Sequence, residues 1–385
     1  MTGTIAVVCI LTFLHYVGAQ MRGPVLSLYA AAHGATATGV GLIIGAHMVA
    51  AGGGSLPLGR ASDLWGRRRL MLAGLVLSAV TSLLLPLFEG ELALMTVYGL
   101  AGIGVAAFTP AALSLVGDNA PPDRIGHAYA WYSTAHYGAI AVGPFLGGLV
   151  AEWAGYRAAF VASALGIAVA LAVAHVMLRG AVAATSARSG TTFAEVRRNA
   201  SVWAGWIASV SGLFIQGVVF PFFPLLADER GLGPAAIGVV FLTLGLTNTA
   251  ARFPAGWLID RTRRASLYSI AGILTASIAT AVLPRADGYA TTLALVAVIG
   301  TASGVAFVGI SVGLAASSTP ATRGFVMGGY STSLYLGFAL GSFALGPVIT
   351  HYGYDVAFLF GGAVGAAGTL AAAVLWSMKR VASGG

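Results

Sequence analysis

Charged residues and cysteine are both scarce in this sequence. Asp, Glu, Lys and Arg make up 8% of its 385 residues, whereas a soluble domain carries roughly 25%. The single cysteine, Cys9, excludes a disulfide framework and a thiolate metal site. The sequence also lacks the phosphate-binding G-x-x-x-x-G-K-[ST] loop of nucleotide-driven pumps and the H-E-x-x-H pattern of zinc hydrolases. We therefore expect no cofactor, no metal ion and no enzymatic activity.

Long hydrophobic runs are abundant instead. Hydrophobic residues make up 58% of the chain, the mean hydropathy is +0.88, and one membrane-spanning helix needs about 20 apolar residues. The ten-residue alternation of a transmembrane β-barrel is absent from the sequence. We expect no cleavable signal peptide, because the first run is too long and lacks a basic n-region. The predicted fold is an all-α membrane protein with twelve spans: 4–31, 38–58, 69–88, 92–116, 127–151, 157–178, 203–227, 235–256, 265–284, 289–315, 324–350 and 354–378.

The basic residues indicate the orientation of the chain. If the loops alternate between two sides, fifteen basic residues fall on the side that holds both termini, and only Arg157, Arg230 and Arg285 fall on the other. Such a bias is typical of cytoplasmic loops, so we predict an inner-membrane protein with both termini in the cytoplasm. The formal charge of +8 then reflects contact with anionic headgroups. The sequence has no basic domain with interleaved aromatic residues, so we do not expect it to bind nucleic acid.

The two halves of the chain repeat each other. At an offset of 197 residues Asp63 aligns with Asp260, and at an offset of 198 a block over 132–160 aligns with one over 330–358. Each copy holds six spans, an even number, so both copies have the same orientation in the membrane. We predict an N-terminal six-helix bundle over 1–178, a cytoplasmic linker over 179–200 and a C-terminal six-helix bundle over 201–385.

The loop between spans 2 and 3, GRASDLWGRRR, carries a motif. A glycine, an aspartate four residues later, a second glycine and a basic cluster resemble the loop motif of the major facilitator superfamily, and the resemblance covers essentially the whole chain. The matching residues are Gly59, Asp63, Gly66, Arg67, Arg68 and Arg69. The second half has a weaker copy with Gly256, Asp260, Arg261 and Arg264, and Arg263 replaces its second glycine.

The resemblance implies a transporter that works by alternating access, with the aspartate network latching one conformation. We assign Arg252, four residues before Gly256, to the same latch. The alternative is a polar loop that only fixes the topology.

Span 5 contains GPFLGG, formed by Gly143, Pro144, Gly147 and Gly148 with two intervening residues. It resembles a motif of the proton-driven drug exporters of the superfamily. The resemblance implies that a Gly-Pro kink and closely packed helices seal one side of the protein. Ordinary close packing is the alternative, because glycine is common where membrane helices meet.

The sequence departs from the superfamily pattern in two ways. Tyr98 stands where span 4 commonly has an arginine, and no acidic residue falls near the middle of a span. A proton-coupled carrier needs a group that gains and loses a proton as its exposure changes, so the coupling candidates are the histidines His15, His47 and His136. The alternative for each is a hydrogen bond between helices.

Span 1 has a polar stripe, because His15 and Arg22 are seven residues apart and share a helix face. Charged residues within spans usually face the bundle interior or a watery cavity, and span 1 lines the cavity in the superfamily. The alternative is that Arg22 snorkels to the interface. A cation in the cavity disfavours lipophilic cations and favours an anionic, zwitterionic or neutral hydroxyl-rich solute. The predicted cavity residues are His15, Gln20, Arg22, Tyr137, Gln216, Asn248 and Tyr335.

Together these patterns predict a secondary active transporter that moves a small solute, most consistently a proton-coupled exporter of drugs or metabolites. One alternative is an importer or uniporter of a small anionic or neutral metabolite. Another is a non-transporting membrane sensor or assembly factor. The expected partners are a small-molecule substrate, protons and the lipid bilayer, and the expected state is a monomer.

Overall fold

The computed structural model describes residues 3–121, 124–178, 196–319 and 322–382. These residues contain no strand, and eleven of their helices are long and apolar enough to cross a membrane. In chain order the helices are α1 (Gly3–Ala32), α2 (Ala37–Trp65), α3 (Arg67–Leu84), α4 (Glu91–Asn119), α5 (Ile125–Ala154), α6 (Tyr156–Met177), α7 (Ala200–Glu229), α8 (Pro234–Thr262), α9 (Ala265–Val282), α10 (Tyr289–Ala316) and α11 (Arg323–Ala382). A short 3₁₀ turn follows α3 at Leu85–Leu87 and α9 at Leu283–Arg285.

The helix α11 contains two of the predicted spans. Its 60 residues would extend about 90 Å, three times the roughly 30 Å hydrocarbon core of a bilayer. The backbone leaves helical geometry at Gly353, with φ 79° and ψ 175°. Gly155, 198 residues earlier, separates α5 from α6 with φ 84° and ψ 166°. Positive φ is open to glycine at little cost, so the same residue type breaks both halves at the same point. The all-α fold with twelve spans is confirmed.

The helices follow from the lack of water in the bilayer core, where each backbone N–H and C=O must find a partner inside the segment. Short polar stretches end them. After α1, Gly34 has a positive φ of 87°, and the Thr36 side chain then accepts the Gly39 N–H at 3.1 Å to cap α2. The Thr36 N–H in turn donates to Glu91 Oε1 at 3.0 Å.

The chain divides into two compact units. Unit 1 comprises Met1–Ser186 and Phe220–Gly245, and unit 2 comprises Ala187–Val219 and Leu246–Gly385. Unit 1 has a hydrophobic core that includes Leu11, Phe108 and Ile167, and the core of unit 2 includes Ile215, Ile273 and Phe307. The predicted division at 178 and 201 stays a prediction, and residues 179–195 of the predicted linker over 179–200 lie outside the described residues.

The sequence repeat extends to the packing inside each unit. In unit 1 a Cβ on Gly74 of α3 would lie 2.6 Å from the carbonyl oxygen of Gly104 on α4. In unit 2 a Cβ on Gly272 of α9 would lie 2.5 Å from the carbonyl oxygen of Ala302 on α10. Gly272 follows Gly74 by 198 residues, and Ala302 follows Gly104 by the same offset. Small residues at such helix crossings let the backbones approach closely.

Alanine substitutions at Gly353 and Gly53 are expected to have opposite effects. Gly353→Ala puts a Cβ on a residue with positive φ and should lower the free energy of unfolding by about 1 kcal/mol. Gly53→Ala lies inside α2, where a new Cβ would meet no atom within 4 Å, and should raise it by about 0.5–1 kcal/mol. Denaturant unfolding of both purified variants in detergent measures the difference. Equal losses in the two variants would contradict the assignment.

Candidate functional site

Arg22 lies inside unit 1 with no exposed surface. Its Nη1 donates to Ser82 Oγ at 2.7 Å and to the backbone oxygen of Ser78 at 3.2 Å, both on α3. The guanidinium carbon lies 5.7 Å from the centroid of the Tyr98 ring on α4. In the part of the chain that the structure describes, no carboxylate forms an ion pair with Arg22. The charge is therefore balanced by oxygen dipoles and by the face of an aromatic ring.

The partners of Arg22 contact residues on other helices. His15 Nε2 lies 3.2 Å from Ser78 Oγ, and Ser163 Oγ on α6 lies 3.3 Å from Ser82 Oγ and donates to the Gly18 oxygen at 2.6 Å. The His47 ring on α2 stacks on Tyr98 with centroids 4.3 Å apart, and its Nδ1 lies 3.0 Å from the Tyr98 oxygen. We name this set the Arg22 network: Arg22, His15, His47, Ser78, Ser82, Tyr98 and Ser163. It joins α1, α2, α3, α4 and α6.

The network brings together three residues that the sequence analysis singled out: His15, Arg22 and His47. All three are buried, and the guanidinium points to α3 instead of the surface. Snorkelling of Arg22 to the interface is therefore wrong as an explanation, because a side chain at the interface would be exposed. The predicted contact of His15 and Arg22 with a substrate stays a prediction.

A second cluster lies between α1 and α5. The ring of His136 meets that of Tyr16 edge to face at 4.1 Å and that of Tyr137 at 5.2 Å. The Tyr132 ring stacks parallel to His136 at 6.2 Å, and the Tyr16 hydroxyl lies 2.6 Å from Thr109 Oγ1 on α4. Tyr16 and Tyr132 are buried, whereas His136 and Tyr137 are half-buried. We name Tyr16, Tyr132, His136 and Tyr137 the aromatic cluster.

The predicted exporter motif also lies on α5, and this helix packs tightly against its neighbours on two sides. A Cβ on Gly143 would lie 2.6 Å from Gln20 Cβ, and one on Gly147 would collide with the Met21 carbonyl of α1. On another side, a Cβ on Gly148 would collide with the carbonyl of Pro234 at the start of α8. Pro144 lies between these contacts, inside the helix. The motif therefore holds α5 at backbone contact distance from both α1 and α8 within unit 1.

The loop motif of the first half forms an ion-pair network. Arg67, the first residue of α3, has a side chain only 4% exposed, and its Nη2 lies 3.6 Å from Asp63 Oδ1. Its Nη1 pairs with Asp118 Oδ2 on the last turn of α4. The adjacent Arg68 donates to the backbone oxygen of His175 at 3.0 Å, near the end of α6. A cation at a helix N-terminus opposes the helix dipole, and the two carboxylates offset that cost for Arg67.

The second copy of the loop motif is built differently. The Arg261 guanidinium lies 5.4 Å from the centroid of a Trp257 ring, and Arg252 Nε donates to Asn248 Oδ1 at 3.1 Å. Arg263 has a φ of 57°, a left-handed conformation, where its repeat counterpart Gly66 has a φ of 94°. Arg263 thus keeps the positive φ of Gly66, although this conformation strains the backbone of a residue that has a Cβ.

The polar residues predicted for the second half lie in unit 2. Gln216 Nε2 lies 3.4 Å from Ser303 Oγ on α10, and Gln216, Asn248 and Tyr335 are all half-buried. Among the described residues, no group of three or more His, Cys, Asp or Glu side chains is placed to hold a metal ion.

Several partners were not predicted from the sequence. Asp118, which lies two residues after the predicted end of span 4, is an ion-pair partner of Arg67. Ser78, Ser82 and Ser163, which complete the Arg22 network, were not predicted either. A signal was available, because an intramembrane arginine needs polar partners, and Ser78 and Ser82, four residues apart, share one face of α3 within its apolar stretch.

Comparisons with known proteins extend over the whole chain. The sequence model of the Major Facilitator Superfamily matches residues 8–233 and 205–384. The chain is 25% identical over 349 residues to an uncharacterized MFS-type transporter of Methanocaldococcus jannaschii, with 88% of this chain and 89% of that protein covered. It is 28% identical over 342 residues to a chloramphenicol resistance protein of Pseudomonas aeruginosa, with 86% and 79% covered.

A shorter match concerns a multi-drug resistance efflux pump PmrA homolog of Lactococcus lactis, 29% identical over 158 residues, with 40% of this chain and 39% of that protein covered. Among solved structures, the nucleoside transporter NupG matches with a TM-score of 0.79 and 12% identity, covering 97% of this chain and 99% of that one. At this identity the likeness concerns the fold alone.

Removal of the Arg22 charge is expected to destabilise unit 1. Arg22→Met leaves buried oxygens of α3 without their donor and should lower the free energy of unfolding by about 2–3 kcal/mol. The control Arg230→Met changes an exposed arginine between α7 and α8 and should stay within about 0.5 kcal/mol of the parent. Thermal and denaturant unfolding in detergent measure both. A loss for Arg22→Met no larger than that of the control would contradict the network.

A glycine at position 263 is expected to stabilise the second loop. Arg263→Gly removes the strain of a left-handed arginine and should raise the free energy of unfolding by about 0.5–1 kcal/mol. Gly66→Ala, the matched change in the first half, should lower it by about 1 kcal/mol or more. The same unfolding assay compares the two, and a destabilised Arg263→Gly would show that side-chain contacts of Arg263 outweigh its backbone strain.

Proposed function

The chain belongs to the major facilitator superfamily and is a multi-pass membrane transporter, not an enzyme, and we propose that it exports a small solute in exchange for protons. The exchange proceeds by alternating access to a central site. We place the protein in the inner membrane as a monomer with both termini in the cytoplasm.

The packing of α5 carries the proposal of export. Gly143, Gly147 and Gly148 hold this helix against α1 on one side and against the start of α8 on another. A seal of this kind keeps an exporter closed on one side while its site is open to the other. Two relatives that are named for drug resistance or efflux support the same direction.

The Arg67 ion pairs support a latch at the cytoplasmic ends of the helices. Arg67 joins the last turns of α2 and α4 to the first turn of α3 through Asp63 and Asp118. Breaking a buried ion pair costs several kcal/mol, which is enough to hold one conformation against another. We assign the corresponding role in unit 2 to Asp260, Arg261 and Arg252.

Of the three coupling candidates, we assign the proton to His136. His15 and His47 are buried in the Arg22 network, where a second positive charge would be repelled by the guanidinium. His136 is half-buried and faces the rings of Tyr16, Tyr132 and Tyr137, so a proton can reach it. We assign Gln20 and Tyr137 in unit 1, and Gln216, Asn248 and Tyr335 in unit 2, to substrate contact.

Transport into proteoliposomes tests the proposal. The purified protein is reconstituted into vesicles with an acidic interior, and uptake of radiolabelled chloramphenicol is followed, since one relative is named for resistance to this compound. Outward movement of protons should drive accumulation, and an ionophore that collapses the pH gradient should abolish it. His136→Gln should lose the gradient-driven accumulation, whereas His175→Gln, at the end of α6, should keep it.

A pH gradient of the opposite direction distinguishes export from import. Accumulation driven by an acidic exterior would indicate symport and hence an importer. If His136→Gln accumulates as much chloramphenicol as the parent, a group other than His136 carries the coupled proton.

A further inference from the structure

Formal charge is nearly absent from the middle of the helices in unit 1. Glu91 and Asp118 lie in the first and last turns of α4, and Glu152 lies in the last turn of α5. The charged residues of α2, α3 and α6 also lie within two turns of a helix end. Arg22 is therefore the one formal charge in the middle of the described helices α1–α6.

Arg22 is not available to a solute in this structure. It has no exposed surface, and its Nη1 and Nε are bonded to Ser78, Ser82 and Ala19. Its Nη2 is also buried, without a hydrogen-bond partner among the described residues, and the guanidinium lies over the Tyr98 ring. A charged solute that entered unit 1 would therefore meet no formal counter-charge, and an unpaired charge away from water is costly.

The groups that are accessible between α1 and α5 are neutral and mostly aromatic. Phe13 is 37% exposed, and its ring would lie 3.8 Å from a Cβ on Gly138 of α5. Gln20 is half-buried, and its Cβ would lie 2.6 Å from a Cβ on Gly143. His136 and Tyr137 immediately precede Gly138 on α5. We name Phe13, Gln20, His136 and Tyr137 the α1–α5 seam. Seven residues of helix separate Phe13 from Gln20, a length of about 10 Å, which suits a solute of two or three fused rings.

We infer that the α1–α5 seam binds an uncharged aromatic solute that forms hydrogen bonds. The rings of Phe13, His136 and Tyr137 offer edge and face contacts to a planar molecule. The Gln20 amide offers a donor and an acceptor. This inference rests on the proposed function, because it names the solute that the transporter carries.

Ligand-induced thermal stabilisation tests the solute class with three probes of one shape. The purified full chain in detergent is heated with 2-naphthol, which is uncharged at neutral pH, with the 2-naphthoate anion, or with the 2-naphthylmethylammonium cation. The uncharged probe should raise the apparent melting temperature by about 2–4 °C, and the two charged probes should leave it unchanged.

Variants of the seam locate the binding. Tyr137→Leu should abolish the shift caused by 2-naphthol, and Tyr137→Phe, which keeps the ring, should retain part of it. The matched control Tyr352→Leu removes a tyrosine that is 71% exposed in unit 2 and should keep the full shift. If Tyr137→Leu does not fold, the same comparison is made with Gln20→Leu against the parent.

Three results would overturn the inference: a shift with either charged probe equal to that with 2-naphthol, no shift with any of the three, or a 2-naphthol shift that the seam variants leave intact. The proposed function fails separately. Binding of 2-naphthol at the seam without pH-driven transport in proteoliposomes would contradict proton-coupled export and leave the solute class standing.

Discussion

The bonds between Arg22 and the oxygens of α3 constrain most of unit 1. A guanidinium cannot stay in the middle of a membrane without partners. Here its partners on other helices belong to α3 and α4, and these are joined in turn to α6 by Ser163 and to α2 by His47. Because the arginine is fully enclosed, α3, α4 and α6 must keep their rotation and height relative to α1. The same packing buries His15 and His47 in this structure, whereas His136 and Tyr137 on α5 are only half-buried.

The helix α5 carries two groups of residues along its length. Toward its middle, the half-buried rings of His136 and Tyr137 are adjacent and are flanked by the small residues Ala135 and Gly138. One to three turns further along, Gly143, Gly147 and Gly148 bring neighbouring backbones into contact. A ligand that moved the rings would therefore act on a helix whose neighbours have no slack, since glycine contacts leave no side chain that could adjust. In the proposed transporter, α5 thus links binding of the solute near His136 and Tyr137 to the seal formed by its glycines.

The sequence predicted what depends on local pattern. The spans follow from hydropathy, the duplication from aligned residues such as Gly155 and Gly353, and the turn between α2 and α3 from its glycine and aspartate. The partners of Arg22 and of Arg67 were not predicted, because pairing between helices depends on the rotation of each helix about its axis. A run of apolar residues fixes that rotation weakly. Arg263 was noted only as a missing glycine, and its left-handed φ became visible in the backbone alone.

The spacing of the Arg22 network along the chain has a consequence for biosynthesis. The helix α1 is synthesised before α3, and an arginine in its middle costs about 2.5–3.5 kcal/mol on entry into lipid. Its partners on α3, the backbone oxygen of Ser78 and the hydroxyl of Ser82, are synthesised 56 and 60 residues later. Ser163, which contacts the Ser82 hydroxyl, follows only with α6. The first helix therefore gains its full stability in the bilayer only after the third has arrived.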